Sequence, residues 1–260
     1  MSAIAFSIGP LTVRWYGVLI VSGIILAVFI SNRLAARHNI PFDSLLDLAL
    51  VCVPLGLLCA RLYYVIFNWS YYSAHPEHIL AVWRGGLAIH GGILGGALGV
   101  WLVGRRQKIP FLLWADIIVP GLILAQAIGR WGNFFNQEAY GYETNLPWAM
   151  FIDGAYRHPT FLYESIWDVL GFALLLALSL HRPPALKPAG CIAACYLVYY
   201  SLGRFFIEHF RTDSLMFGPL RAAQLISIAG IFLGIILLYY SRRQQQTPKP
   251  GQSKPRRVQR

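Results

Sequence analysis

Residues 129–141 read GRWGNFFNQEAYG, an arginine, three amides and a carboxylate at the end of a long apolar run. Hydrocarbon penalises each unpaired polar group by about 2–7 kcal/mol, so such a cluster usually marks a working site. Arg130 offers a fixed cation, Asn133, Asn136 and Gln137 offer amide donors and acceptors, and Glu138 offers a carboxylate. That set suits an anionic, hydroxyl-rich ligand such as a phospholipid headgroup. The other reading is a polar helix cap with a snorkelling arginine. The density of polar groups favours a site.

Outward from this stretch the chain is 57% hydrophobic and 13% charged over 260 residues. A soluble domain carries about 25% charged residues, so the composition is that of a membrane protein. Seven apolar stretches are long enough to cross a bilayer: residues 16–34, 45–67, 86–103, 111–129, 161–180, 189–210 and 222–240. The expected fold is an all-α polytopic membrane protein, with seven transmembrane helices over residues 1–243. A small extracytoplasmic cap is expected over 137–158, where Asp153-Gly154 between short apolar runs predicts a hairpin turn. No basic region precedes the first span and no clean cleavage site follows it, so it is read as retained. Residues 244–260, rich in Gln, Pro, Lys and Arg, are expected to form a disordered basic cytoplasmic tail.

Fourteen of the 22 basic residues follow spans one, three, five and seven, a bias that marks the cytoplasmic side. The N-terminus and the loops after spans two, four and six are then outside, and the C-terminus is cytoplasmic. The net charge of +11 is mostly this topology signal, and nucleic-acid binding is rejected. The other eight, Arg14, Arg61, Arg84, Arg130, Arg157, Arg204, Arg211 and Arg221, are all arginine. Arginine forks onto phosphate bidentately, so the partition hints at phosphate recognition.

Depth orders the polar residues. Tyr16, Arg61, His90, Arg130, Glu164 and the series Tyr200, Arg204, Glu208, Arg211 fall at the outer ends of six spans. The last four share a helical face by their spacing. Convergence at one level predicts a single site toward the outer leaflet. Asp47 and Asp116 begin spans that enter from the cytoplasm and suit dipole pairing. Asp168 is read as a structural tie to Arg61 or Arg204, because buried arginines need carboxylates. Arg84 and Arg221 are read as flanking residues whose replacement by lysine is mild. Glycines at 91, 92, 95, 96 and 99 predict close helix packing. The four cysteines all lie in apolar spans, without a CxxC pair, and receive no redox or metal role. His75 and His78 are read as lacking a Cys or carboxylate partner at ligand spacing, so no zinc site is expected.

The chain from about residue 8 to 240 resembles the prolipoprotein diacylglyceryl transferases, bacterial membrane enzymes that lipidate lipoprotein precursors. RWYG at 14–17, HGG at 90–92, the stretch 129–141, HPTFLYES at 158–165 and RFFIEHFRTDSL at 204–215 carry the resemblance. It implies transfer of the diacylglyceryl group of phosphatidylglycerol to the thiol of a lipobox cysteine in a prolipoprotein signal peptide. A thioether forms and glycerol phosphate leaves, the first step of lipoprotein maturation in the bacterial plasma (inner) membrane. Given that reaction, His90 is the candidate base, with Glu164 or the substrate's own surroundings left open. Arg130 and Arg204 are the cations for the leaving phosphate. Asn133, Glu138 and Gly141 are expected to shape the glycerol pocket, with Tyr16, Glu164, Glu208 and Arg211 supporting. No metal or organic cofactor is required. A small-solute transporter or channel is the rival, disfavoured by the absence of a visible inverted repeat and by polar groups at one leaflet.

Overall fold

The computed structural model describes residues 3–9, 11–218 and 220–246, and the chain is mostly helical. It divides into two compact units, Met1–Asn136 and Gln137–Arg260.

In the first unit a hairpin, β1 (Ile4–Ile8) and β2 (Leu11–Arg14), leads into α1 (Trp15–Ala36). Next come α2 (Phe42–Phe67), the single turn α3 (Trp69–Tyr72), α4 (Ile89–Gln107) and α5 (Phe111–Asn136). These helices pack as two close pairs, α1 with α5 and α2 with α4. Small residues permit both. A Cβ on Gly121 would sit 2.7 Å from the Ala27 carbonyl oxygen, so α1 and α5 touch backbone to backbone. On α4, Gly91, Gly95 and Gly99 recur every four residues and face Cys59, Leu55 and Cys52 of α2. The expected glycine packing is therefore present on this stripe. Gly96 faces open space instead.

In the second unit β3 (Met150–Ile152) and β4 (Ala155–Arg157) form the hairpin expected around Asp153-Gly154. Both turn residues have positive φ, 48° and 80°, as a two-residue hairpin turn that follows strand twist requires. Then follow α6 (Thr160–His181), α7 (Cys191–Ile207), a 3-10 turn (Glu208–Phe210), the two-residue strands β5 (Met216–Phe217) and β6 (Leu220–Arg221), and α8 (Ala222–Gln246). Helix α7 packs against both α6 and α8.

Among the described residues six helices are long and apolar enough to cross a membrane. The 22 residues of α1 span about 33 Å at roughly 1.5 Å each, against about 30 Å of hydrocarbon. The expected third span corresponds to α4, 19 residues long but enriched in glycine and carrying His90, Arg105 and Arg106, so it falls outside the six. Leu50, Leu94 and Phe232 are more than 60% exposed, whereas Arg61, Asp168 and Glu208 are each 2% exposed. Apolar side chains outward and charges inward suit a lipid surround and not water.

Two boundaries differ from expectation. Helix α5 runs seven residues past Gly129, so most of the 129–141 stretch is helical. Left-handed Gln137 (φ 54°) and Ala139 (φ 57°) then break it. Helix α8 continues through Gln246, so residues 244–246, expected in the tail, are helical. Residues 247–260 lie outside the described residues.

Candidate active site

Three groups of side chains hold the residues singled out in the sequence. The first lies on the α1–α5 pair. A Cβ on Gly132 would meet the Tyr16 ring at 2.3 Å, so the second glycine of GRWG is the seat of that tyrosine. Trp15 stacks on Phe135 at 5.2 Å and closes the same contact. The RWYG segment and the helical part of the 129–141 stretch are thereby locked in register, with Tyr16 against the helical turn that carries Arg130 and Asn133. Those two residues stand three apart on α5 and so share a face. Both are part-buried.

The second group lies on the α2–α4 pair. His90 is the second residue of α4, in its first turn, and its ring stacks on Tyr63 at 5.7 Å. It is exposed. Arg61, assigned by depth to the same polar layer, does something else. Its Nε and Nη2 donate to the carbonyls of Ile79 and His78 at 2.9 and 2.7 Å, and its Nη1 donates to those of Gly85 and Gly86. The Tyr72 ring lies 5.1 Å below the guanidinium. Of the two arginines expected as partners for Asp168, Arg61 is thus taken up by loop carbonyls. Four backbone carbonyls satisfy this cation and staple residues 78–86 onto α2.

The third group lies in the second unit and is a buried ionic cluster. Arg204 Nη1 donates to Glu164 Oε1 at 2.7 Å, and Arg204 Nη2 forms an ion pair with Glu208 Oε2 at 2.6 Å. Arg211 Nη1 reaches the same Glu164 oxygen at 3.2 Å. Its Nε and Nη2 fork onto Asp213 at 2.9 and 2.6 Å. Burial pushes the Asp213 carboxyl up, but the Arg211 hydrogen bonds and charge outweigh it and hold it below the usual range, so this pair is ionised at neutral pH. The Glu164 and Glu208 side chains are 5% and 2% exposed, against 20% for Arg204. Among Arg204, Glu164 and Glu208 the most accessible side chain is thus the cation, while Asp213 at the far end of the cluster is 50% exposed. The described contacts of Arg204 use two of the five guanidinium N–H donors, leaving others for an anion.

Helical spacing places Arg211 on one face with Arg204 and Glu208, and the structure corrects this. After the 3-10 turn Arg211 is extended (φ −79°, ψ 145°) and bridges Gly141. Three segments cross there: Gly141 N–H donates to the His158 carbonyl at 3.0 Å and Tyr142 N–H to that of Phe210 at 2.9 Å. A Cβ on Gly141 would lie 2.6 Å from His158 Cβ and 2.8 Å from the Phe210 carbonyl oxygen. Gly141 is small because strands cross over it. Glu138 is exposed, between the two left-handed residues that end α5. Gln137 Oε1 accepts from Asp153 N–H at 2.8 Å, tying the end of the stretch to the β3–β4 turn.

Arg221, expected to be a tolerant flanking residue, braces this crossing. Its Nη1 donates to the carbonyls of Glu208 and Arg211 and to Ser214 Oγ, and its Nη2 donates to Tyr142 Oη. Nothing in local spacing signals this role. Arg84's side chain lies outside the described residues. The reading that His75 and His78 lack a carboxylate partner is also corrected. The 3-10 turn Pro76–His78 folds Glu77 back between them, Oε1 lying 3.5 Å from His75 Nδ1 and 3.6 Å from His78 Nε2.

Buried charge on long apolar helices defines a helical membrane protein. Residues 3–240 match the family of prolipoprotein diacylglyceryl transferases. Three relatives carry the name phosphatidylglycerol–prolipoprotein diacylglyceryl transferase. That of Clostridium novyi is 53% identical, covering 93% of this chain and 96% of its own length. That of Streptococcus agalactiae is 47% identical over 94% and 98%. That of Trichormus variabilis is 51% identical over 88% and 85%. The chain belongs to the prolipoprotein diacylglyceryl transferase family.

Proposed function

We propose that this protein is a transferase that moves the diacylglyceryl group of phosphatidylglycerol onto a prolipoprotein, as the names of its relatives state. Similarity at about half identity over nearly the whole chain is the observation that carries this reading. The acceptor is the thiol of a lipobox cysteine in the signal peptide. In the reaction the thiol sulfur attacks the diacylglyceryl carbon that bears the phosphate oxygen. A C–S bond forms, the C–O bond breaks, glycerol phosphate departs with the bonding pair, and the thiol proton passes to a base.

That chemistry asks for a base near the thiol and positive charge at the leaving phosphate. A free thiol of pKa about 8.5 is only a few per cent thiolate near neutrality. His90, exposed on the first turn of α4 with its ring steadied by Tyr63, is the candidate base. Arg130 and Arg204 are the candidate phosphate cations. The 20% exposure of Arg204 above two buried carboxylates supports its part. Tyr16 and Asn133 support Arg130, and Glu164, Glu208 and Arg211 hold Arg204 in place. Glu138 and Gly141 belong to the segment that shapes the glycerol side.

The membrane frame is part of the proposal. Helix α4 completes seven spans, its glycine stripe covered by α2. The hairpin-bearing segment 137–158 forms an extracytoplasmic cap, with the N-terminus outside, the C-terminus cytoplasmic and the reaction toward the outer leaflet of the bacterial plasma membrane. Periplasm-active reporters fused after Asn68 or Asp213, or within 137–157, are expected to be active, and those after Arg37, Arg106 or Lys187 silent. The reverse pattern overturns the orientation. The reaction itself is tested with phosphatidylglycerol labelled in its headgroup glycerol and a lipobox peptide in detergent. Peptide-dependent release of labelled glycerol phosphate is expected, and its absence overturns the assignment.

A further inference from the structure

We propose that His75, Glu77 and His78, in the loop between α2 and α4, form a binding site for a borderline divalent transition-metal ion such as Zn2+. The site is separate from the transfer reaction and does not depend on it. The three ligand atoms, one from each residue, lie within 4.8 Å of one another.

Their spacing suits a metal cradle as well as an ion pair. Direct N–H···O contacts close to about 2.7–3.2 Å, whereas Glu77 Oε1 stands 3.5 Å from His75 Nδ1 and 3.6 Å from His78 Nε2. Two ligands each about 2.0–2.1 Å from a tetrahedral zinc ion stand about 3.3–3.4 Å apart. The observed separations are close to the second value. Two imidazoles and one carboxylate also form the ligand set typical of an open zinc site, with a fourth position for water. Imidazole donors select Zn2+, Ni2+ or Cu2+ over Mg2+ and Ca2+.

The surroundings hold the ligands in place. Tyr71 Oη lies 2.9 Å from His78 Nδ1, a partner on the ring nitrogen opposite the one facing Glu77. That is the outer-shell contact that fixes tautomer and ring orientation in metal-binding histidines. Tyr71 also packs on His75 at 4.8 Å, and the His75 and His78 rings stack at 5.4 Å. The backbone is anchored at a ligand itself, because Arg61 of α2 holds the carbonyls of His78 and Ile79. His75 and Glu77 are exposed, so an ion has direct access.

The test is calorimetric titration of untagged, chelator-stripped full-length protein in detergent with ZnCl2. One saturable equivalent is expected in the wild type. His75→Ala, Glu77→Gln and His78→Ala are each expected to raise its Kd at least tenfold, Tyr71→Phe about tenfold, and His181→Ala not at all. Bound zinc is further expected to raise the melting temperature of the wild type but not of His75→Ala. Should His78→Ala fail to fold, the exposed His75→Ala and Glu77→Gln variants decide. Absence of saturable binding in the wild type, or an equivalent that survives both His75→Ala and Glu77→Gln, overturns the site.

Discussion

Arg204 of α7 donates to Glu164 of α6 at 2.7 Å, and the same Glu164 oxygen also accepts from Arg211. One buried carboxylate thus fixes two cations from different local structures, a helix and an extended strand end. Charges in such a setting persist only when paired, and removing one partner of a buried pair costs about 3–5 kcal/mol.

Glu164→Gln keeps the shape and removes the charge that both arginines share. We expect a lowered melting temperature together with at least a hundredfold loss of turnover. A variant with normal melting and normal turnover would show that the cluster does not position Arg204.

Lysine cannot reproduce the planar fork with which Arg204 spans Glu164 and Glu208, nor a bidentate grip on phosphate. Arg204→Lys and Arg130→Lys are expected to lose most glycerol phosphate release while melting stays within a few degrees of wild type. Near-normal turnover in Arg130→Lys would remove bidentate phosphate contact at that position.

Arg221→Lys keeps the charge but cannot serve two carbonyls, Ser214 and Tyr142 at once. We expect roughly a tenfold fall in kcat with KM little changed, since the residue braces Glu208 and Arg211. Wild-type kinetics would return Arg221 to the flanking role that its position in the sequence suggested.

Glycine replacements separate packing from site geometry. Gly132→Ala drives a methyl into the Tyr16 ring, and Gly141→Ala drives one into the Phe210 carbonyl, so both are expected to lose activity and Gly141→Ala to lose stability as well. Gly96→Ala meets open space on a helix, where alanine is favoured by about 0.5–1 kcal/mol, and melting should hold or rise.

If His90 takes the thiol proton, His90→Gln slows transfer most at neutral pH. The defect shrinks as pH rises toward about 8.5, because bulk base then supplies the thiolate. A pH series with a lipobox peptide checks this, and a constant defect would make His90 an orienting residue.

The sequence by itself determined the helices, because apolar runs and breakers act over a few residues. Its spans match the observed helices within a few residues at most ends, and Asp153-Gly154 marked a real hairpin. It also held the motifs that place the chain in its family. What only the tertiary structure decided is the partner of each charge. Arg61 looked like a site cation and is spent on four loop carbonyls, while Arg221 looked peripheral and holds the crossing together. Arg211 left its helical face when the chain unwound after Phe210, yet still reached Glu164. The Arg221 guanidinium finds its acceptors in chain segments 7 to 79 residues away. Local periodicity cannot encode that choice, because it is settled by which buried oxygens would otherwise lack a donor.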